Sequence, residues 1–273
     1  MRTSLSEIST VGATFAEDVA AYAAAGFDGI GLWEFKLPAD EEANRTLLSD
    51  AGLAVTNCVP AVPSLLPLAI PGMEGPADPV ERRAAIVASV GRLAAYDPEC
   101  ILCLAGPVGS RDPDEARAIV VEGLQEVAAV ARAAGVTLAF EPVHASQRET
   151  VSFVTSILEA VDLLDEAGLG DTGLLLDLYH VWDDPAVWDF IGRASYRIAG
   201  VHVADWPGDS GRTDRLLPGE GVSHTRELVD ALALSGWDGF LDVEIFSEPD
   251  RFWGLPVDEA ARRAHAAVSA LLP

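Results

Sequence analysis

An α/β chain folded as a single (β/α)8 TIM barrel over residues 1–273 is what three features of the sequence predict. The chain has 273 residues, close to the roughly 250 that one such barrel needs. Short apolar runs alternate with longer helical patterns along its whole length. Glycines stand where helices must stop, shortly before the next apolar run.

The runs read as buried parallel strands, four to eight residues long and bounded by Gly, Pro or Asp. A weak one comes first, Ser4–Thr10. Gly26–Trp33, Leu53–Val59, Cys100–Ala105, Val136–Phe140, Gly173–Leu178, Ile198–Val203 and Phe240–Phe246 follow. Between them the spacing predicts helices. In the third, Val80, Ala84, Val87, Val90 and Ala94 form an apolar stripe; in the fifth, Val154, Ile157, Leu158, Val161 and Leu164 do so. Gly26, Gly52, Gly135, Gly168 and Gly236 read as helix ends. No G-x-G-x-x-G follows the first strand, which disfavours an open dinucleotide-binding sheet.

One connection breaks the rhythm. Residues 60–79 carry six prolines together with Leu65, Leu66, Leu68 and Ile70, too much for an ordinary turn. Following the third strand, this loop lies on the face where such barrels do chemistry. It reads as a lid or a contact for a second copy or a partner subunit, with a proline-stiffened surface loop as the plainer reading.

Composition narrows the function classes. Eighteen Lys and Arg against 43 Asp and Glu leave a formal charge of −25, which repels phosphate backbones and anionic lipid; nucleic acid and membrane are not expected partners. Lys36 is the only lysine, so Schiff-base chemistry has a single weak candidate. Three cysteines make no disulfide framework. Cys100 and Cys103 lie inside an apolar run and read as buried strand residues. The N-terminus shows no signal-peptide core and no stretch is apolar enough to span a membrane, so a cytoplasmic location is the expectation.

The strand ends carry the chemistry. Glu141, Asp177, His202 and Glu244 sit at or near the ends of four consecutive runs, the fifth to the eighth. An acid at the end of an apolar run is costly to desolvate unless paired or coordinated. Three converging carboxylates repel one another unless a cation joins them. This oxygen-rich set with one imidazole suits a single divalent metal, Mn2+ first, with Mg2+, Co2+ or Zn2+ as alternatives. Glu141 and Glu244 lie three strands apart around the rim and can flank a substrate, one removing a proton next to a carbonyl and the other returning it.

The segments Phe140-Glu141-Pro142-Val143-His144, Leu176-Asp177-Leu178-Tyr179-His180, Val201-His202-Val203-Ala204-Asp205, Pro218-Gly219-Glu220-Gly221 and Val243-Glu244-Ile245-Phe246 resemble those of the xylose isomerase-like sugar isomerase/epimerase superfamily. The resemblance implies the same four metal ligands, acid/base roles for both glutamates, and substrate contacts from His180 and Arg215. It also implies a sugar, keto-sugar or cyclitol substrate that reacts through a metal-stabilised enediolate. The superfamily includes lyases too, inosose-type dehydratases and enzymes that cleave 3-keto-C-glycosides, some of which could work as subunits of a hetero-complex. His144 departs from the commonest family pattern. It reads as an extra acid/base group, which a lyase would need, or as a loop hydrogen-bonder. Trp33 and Trp206 are candidate platforms for sugar C–H faces. Asn57 and Cys58 read as support, His224 as structural, and His265 as solvent-facing.

Overall fold

Most helices begin where the sequence supplies a side-chain cap. Thr14 and Glu17 form a reciprocal capping box at α1 (Phe15–Ala25). Asp40, Asp78, Asp112 and Ser156 cap α2 (Glu41–Ala51), α3 (Pro79–Leu93), α4 (Pro113–Ala134) and α5 (Ile157–Glu166) through backbone N–H groups of the first turn. The five expected stop glycines all have positive φ, from 70° to 96°. In this computed structural model, residues 1–208 and 214–273 are described.

The strands are β1 (Arg2–Ser6), β2 (Gly29–Trp33), β3 (Ala54–Val59), β4 (Cys100–Cys103), β5 (Leu138–Phe140), β6 (Gly173–Asp177), β7 (Ile198–Val203) and β8 (Phe240–Val243). They pair in chain order, all parallel, and β8 closes onto β1. The expected barrel is the observed one. Two short helices follow β6, α6 (Leu178–Val181) and α7 (Val187–Ala194); α8 (Thr225–Leu234) and α9 (Val257–Ser269) complete the outer ring. One apolar cluster fills the space between sheet and helices. A smaller one, including Ile8, Cys100, Leu102 and Leu175, fills the barrel itself. Cys100 and Cys103 fall in different clusters, on opposite faces of β4, and burial drives both thiols far from ionisation. Among the described residues, no helix is long and apolar enough to cross a membrane.

Some local expectations need correction. The first strand stops at Ser6, and Glu7–Thr10 turn as a 3-10 helix that sends Glu7 inward. The α3 stripe is rotated: Arg82, Ile86, Ser89, Val90 and Leu93 are buried, whereas Val80 is 63% exposed. Leu158 likewise faces out, because α5 packs through Ile157, Ala160, Leu163 and Leu164. His265 is half-buried and sits edge-on to Phe27, with 5.0 Å between ring centroids, so it does not face solvent.

The 60–79 loop is a fixed wall. Leu65 and Leu66 donate backbone N–H groups to Leu104 O and Ala105 O, and Leu104 N donates to Pro63 O, so the loop continues the sheet beside β4. Gly106 admits this approach. Its φ is +89°, and a Cβ there would lie 2.2 Å from Leu66 O. The fully buried Arg82 ties the loop to α3. It donates to Ser64 O (2.7 Å), Glu74 O (2.6 Å), Pro76 O (2.7 Å) and Ser64 Oγ (3.2 Å).

At the β1 end a second buried polar cluster holds Lys36. Its Nζ pairs with Asp18 and donates to Glu7 O (3.2 Å) and Thr10 O (3.0 Å). This lysine is a structural tie, with no amine free for Schiff-base chemistry. Glu7 accepts from Trp33 N at 2.8 Å, and burial pushes its carboxyl up from 4.5 to about 8 despite the Lys36 charge. A carboxyl raised on folding gives its full contribution below about 4.5 and loses it as pH rises through about 8. Glu7→Gln, which mimics the protonated acid, should therefore match wild type near pH 5. It should gain on wild type by up to about 1.4 kcal/mol per pH unit toward pH 8. Denaturant unfolding at pH 5, 6.5 and 8 checks this, and a pH-independent difference would sink it.

Candidate metal centre and active-site cavity

β5 to β8 run side by side and end at the same mouth of the barrel, so their terminal polar residues must converge. Asp177 ends β6 and His202 lies on β7. Glu141 and Glu244 are the first residues past β5 and β8. All four are at most 5% exposed. Ligand atoms of Glu141, Asp177 and His202 all lie within 4.8 Å of one another. Glu244 Oε2 stands 3.3 Å from His202 Nδ1, so the fourth expected residue faces the same imidazole.

Arg215 joins the group from the loop after β7. Its backbone N donates to Phe246 O (2.8 Å), and Nη1 reaches Asp177 Oδ2 (2.8 Å) and Glu244 Oε2 (2.9 Å). Tyr179 and Phe246 lie on the guanidinium, with ring centroids 4.6 and 4.9 Å from Cζ. The loop that carries Arg215 is built around Asp205, which accepts from Gly219 N and Ser223 N (both 2.9 Å).

The electrostatics are those of a site short of a cation. Burial and the Asp177 carboxylate push Glu141 well above the usual carboxylate range. Burial alone would lower His202, but the Glu244, Asp242 and Asp177 carboxylates together outweigh it and hold the imidazole near 10. Burial would raise Glu244, yet His202 and Arg215 hold it down at about 2. Without a cation the cluster thus favours a proton on Glu141 and on His202; with those two protons gone, three carboxylates and one guanidinium would leave about two negative charges, which one divalent ion would neutralise. Among the described residues, neither ring nitrogen of the fully buried His202 finds a partner in good hydrogen-bond geometry, although Glu244 Oε2 stands 3.3 Å from Nδ1. An imidazole so placed beside three carboxylates suits a divalent metal.

The surroundings fix these side chains. Asp242 Oδ2 lies 3.6 Å from His202 Nε2 and accepts from Asn57 Nδ2 at 2.8 Å. That turns Nε2 toward a carboxylate and leaves Nδ1 for the site. Gly31 on β2 makes room, since a Cβ there would fall 2.5 Å from Asp242 Oδ2. Asp242 was not among the sequence candidates. Strand alternation carried the signal, because residues 242 and 244 share a face.

His180 is 5% exposed, and burial lowers it to about 4, so it is neutral at neutral pH. Its Nδ1 accepts from His144 N at 3.2 Å, and its Nε2 lies 3.3 Å from Arg215 Nη2 and 3.6 Å from Asp177 Oδ2. Trp33 lines the cavity and donates its indole N–H to Ser6 Oγ (2.9 Å). Two expected contributors lie elsewhere. The His144 ring contacts Ser146 Oγ (2.7 Å) and Asp183 Oδ2 (3.3 Å), and only its backbone reaches the site. Trp206 packs on His144 and Tyr179, with centroids 4.3 and 4.8 Å away, and does not line the cavity.

A closed parallel barrel with this acidic, imidazole-bearing cluster at its C-terminal mouth has the architecture in which (β/α)8 proteins place their active sites. The chain belongs to the xylose isomerase-like TIM barrel family, whose model matches residues 19–270. It is 30% identical over 249 residues to a Streptomyces coelicolor protein named "Putative hydroxypyruvate isomerase", covering 84% of each chain. It superposes on a Sinorhizobium meliloti 1021 protein with a TM-score of 0.84 at 28% identity, covering 98% of both chains. The IolI protein, solved with a bound zinc atom, shares the fold with a TM-score of 0.80 at 18% identity, covering 99% of this chain and 98% of that one.

Proposed function

We propose that this chain is a divalent-metal-dependent isomerase or epimerase that moves a proton next to the carbonyl of a sugar or sugar derivative. The observation that carries the reading is the convergence of Glu141, Asp177, His202 and Glu244 at the barrel mouth, with Glu141 and Glu244 lining a cavity there. Family membership, the Streptomyces relative's name and the zinc in IolI support it.

Those four residues would hold the metal, and oxygen-rich ligation favours Mn2+ over Mg2+, Co2+ or Zn2+. Bound there, it would act as a Lewis acid toward the negative charge that develops when the proton leaves. Glu141 and Glu244 follow strands three apart around the mouth and would flank the substrate; one carboxylate takes the proton and the other returns it. His180 and Arg215 line the cavity side by side, Nε2 of one 3.3 Å from Nη2 of the other, where both would contact a substrate oxygen. Arg215 also holds Asp177 and Glu244 in place. A lyase would need an acid for its leaving group; His144, the candidate for that role, is occupied with Ser146 and Asp183. Proton return to carbon needs only the two glutamates, so isomerisation is preferred.

The test is metal analysis paired with α-proton exchange in D2O, followed by proton NMR, on hydroxypyruvate and on simple ketoses. About one metal per chain is expected, with exchange lost on chelation and restored by Mn2+. Undiminished exchange in metal-free protein, or none on any hydroxycarbonyl compound with metal bound, would overturn the reading.

A further inference from the structure

The cavity beside the four ligands has two unlike halves. On the β5 to β8 side it presents Glu141, His180, Arg215 and Glu244. On the β2 to β4 side, Val59, Leu102 and Leu104 project from the sheet, and the 60–79 loop lays Leu68, Ile70 and Met73 against them. That half offers no charged group; the amide of Gln147 is a neutral polar side chain in the same lining. A free sugar carries a hydroxyl on nearly every carbon, and each hydroxyl buried there without a partner would be penalised. The apolar wall is also preformed. Ala69 N donates to Thr150 O at 2.8 Å, and Arg82 locks the same loop from behind.

From this division we infer that the substrate is a hydroxycarbonyl compound bearing a phenyl-sized apolar substituent, which fills the β2–β4 half while the hydroxycarbonyl end faces Glu141 and Glu244. The cavity measures about 190 Å³ over both halves together, against the roughly 150 Å³ of apolar cavity that holds benzene, so it admits one phenyl-sized group and a small hydroxycarbonyl end. A three-carbon substrate would leave the apolar half unfilled. The inference rests on the proposed proton-transfer chemistry for the reacting end; the apolar subsite itself is independent of turnover.

Hydroxyacetone and 1-hydroxy-3-phenylpropan-2-one differ only by the ring, and the purified full-length protein can be titrated with each by ligand-observed NMR. Burying a phenyl group should tighten binding by about 10- to 100-fold. In Ile70→Asp and, separately, Met73→Asp, both at half-buried positions, the ratio of the two affinities should fall toward one. Equal affinities in wild type, tighter binding of hydroxyacetone, no saturable binding of either, or a preference untouched by both substitutions would each overturn the subsite. α-Proton exchange on the same compounds separates the two claims. If exchange fails while the phenyl preference holds and responds to Ile70→Asp, the isomerase reading falls and the apolar subsite stands.

Discussion

Glu141→Gln is expected to reduce α-proton exchange by about 10³-fold, within the range by which a positioned general base accelerates proton transfer. The substitution keeps the side-chain volume and removes both a base and an anionic ligand. In the metal-free protein, burial and Asp177 already favour the protonated acid at this position. The neutral amide therefore costs little there, and the unfolding temperature without metal should stay near that of wild type. Glu244→Gln should lose exchange to a similar degree but behave differently as a fold. Glu244 is ionised between His202 and Arg215, and replacing it leaves Arg215 buried with one carboxylate fewer. Its metal-free form should melt below wild type. Exchange rates, metal content and melting curves of the two variants check the argument together. Wild-type exchange in Glu141→Gln with full metal content would remove Glu141 from the mechanism.

The barrel and the convergence of Glu141, Asp177, His202 and Glu244 at its mouth were legible in the sequence because both follow from periodicity. Parallel strands buried on both faces read as apolar runs, and a polar residue ending such a run has only the barrel mouth to enter. What stayed illegible depends on contacts between distant segments. Arg82 looks like any helix-surface arginine until the loop folds over it, and its burial rotates α3 away from the Val80 stripe. His144 sits three residues past a ligand, yet its ring direction is set by Ser146 and Asp183. Asp242 could have been found from its alternation with Glu244. Its work on His202 needed Asn57 from β3 and the bare backbone of Gly31, both far away in the chain.

Arg82→Ala should lower stability by about 3–5 kcal/mol, the upper range for a substitution that both strips several buried polar groups of their partner and opens a cavity. Burial and the nearby Arg111 lower the guanidinium to about 10, which still leaves it charged at neutral pH. Its partners are the carbonyls of Ser64, Glu74 and Pro76 and the Ser64 hydroxyl, with no carboxylate among the bonds it donates. Alanine would strip those carbonyls of their donors and leave a cavity behind the loop, two penalties that add. For a chain of this length the loss corresponds to a melting temperature about 10 °C lower. Lysine keeps the charge but cannot match the fork of N–H donors, so Arg82→Lys should recover only part of the loss. Amide hydrogen exchange should show where the change falls. Loosening is expected first at Leu65, Leu66 and Ala69, whose N–H groups bond the loop to its neighbours. Because Leu68, Ile70 and Met73 ride on the same loop, the affinity advantage of a phenyl-bearing ligand should shrink along with that protection. Unchanged protection at those amides in a destabilised Arg82→Ala protein would mean that the loop stands without its arginine.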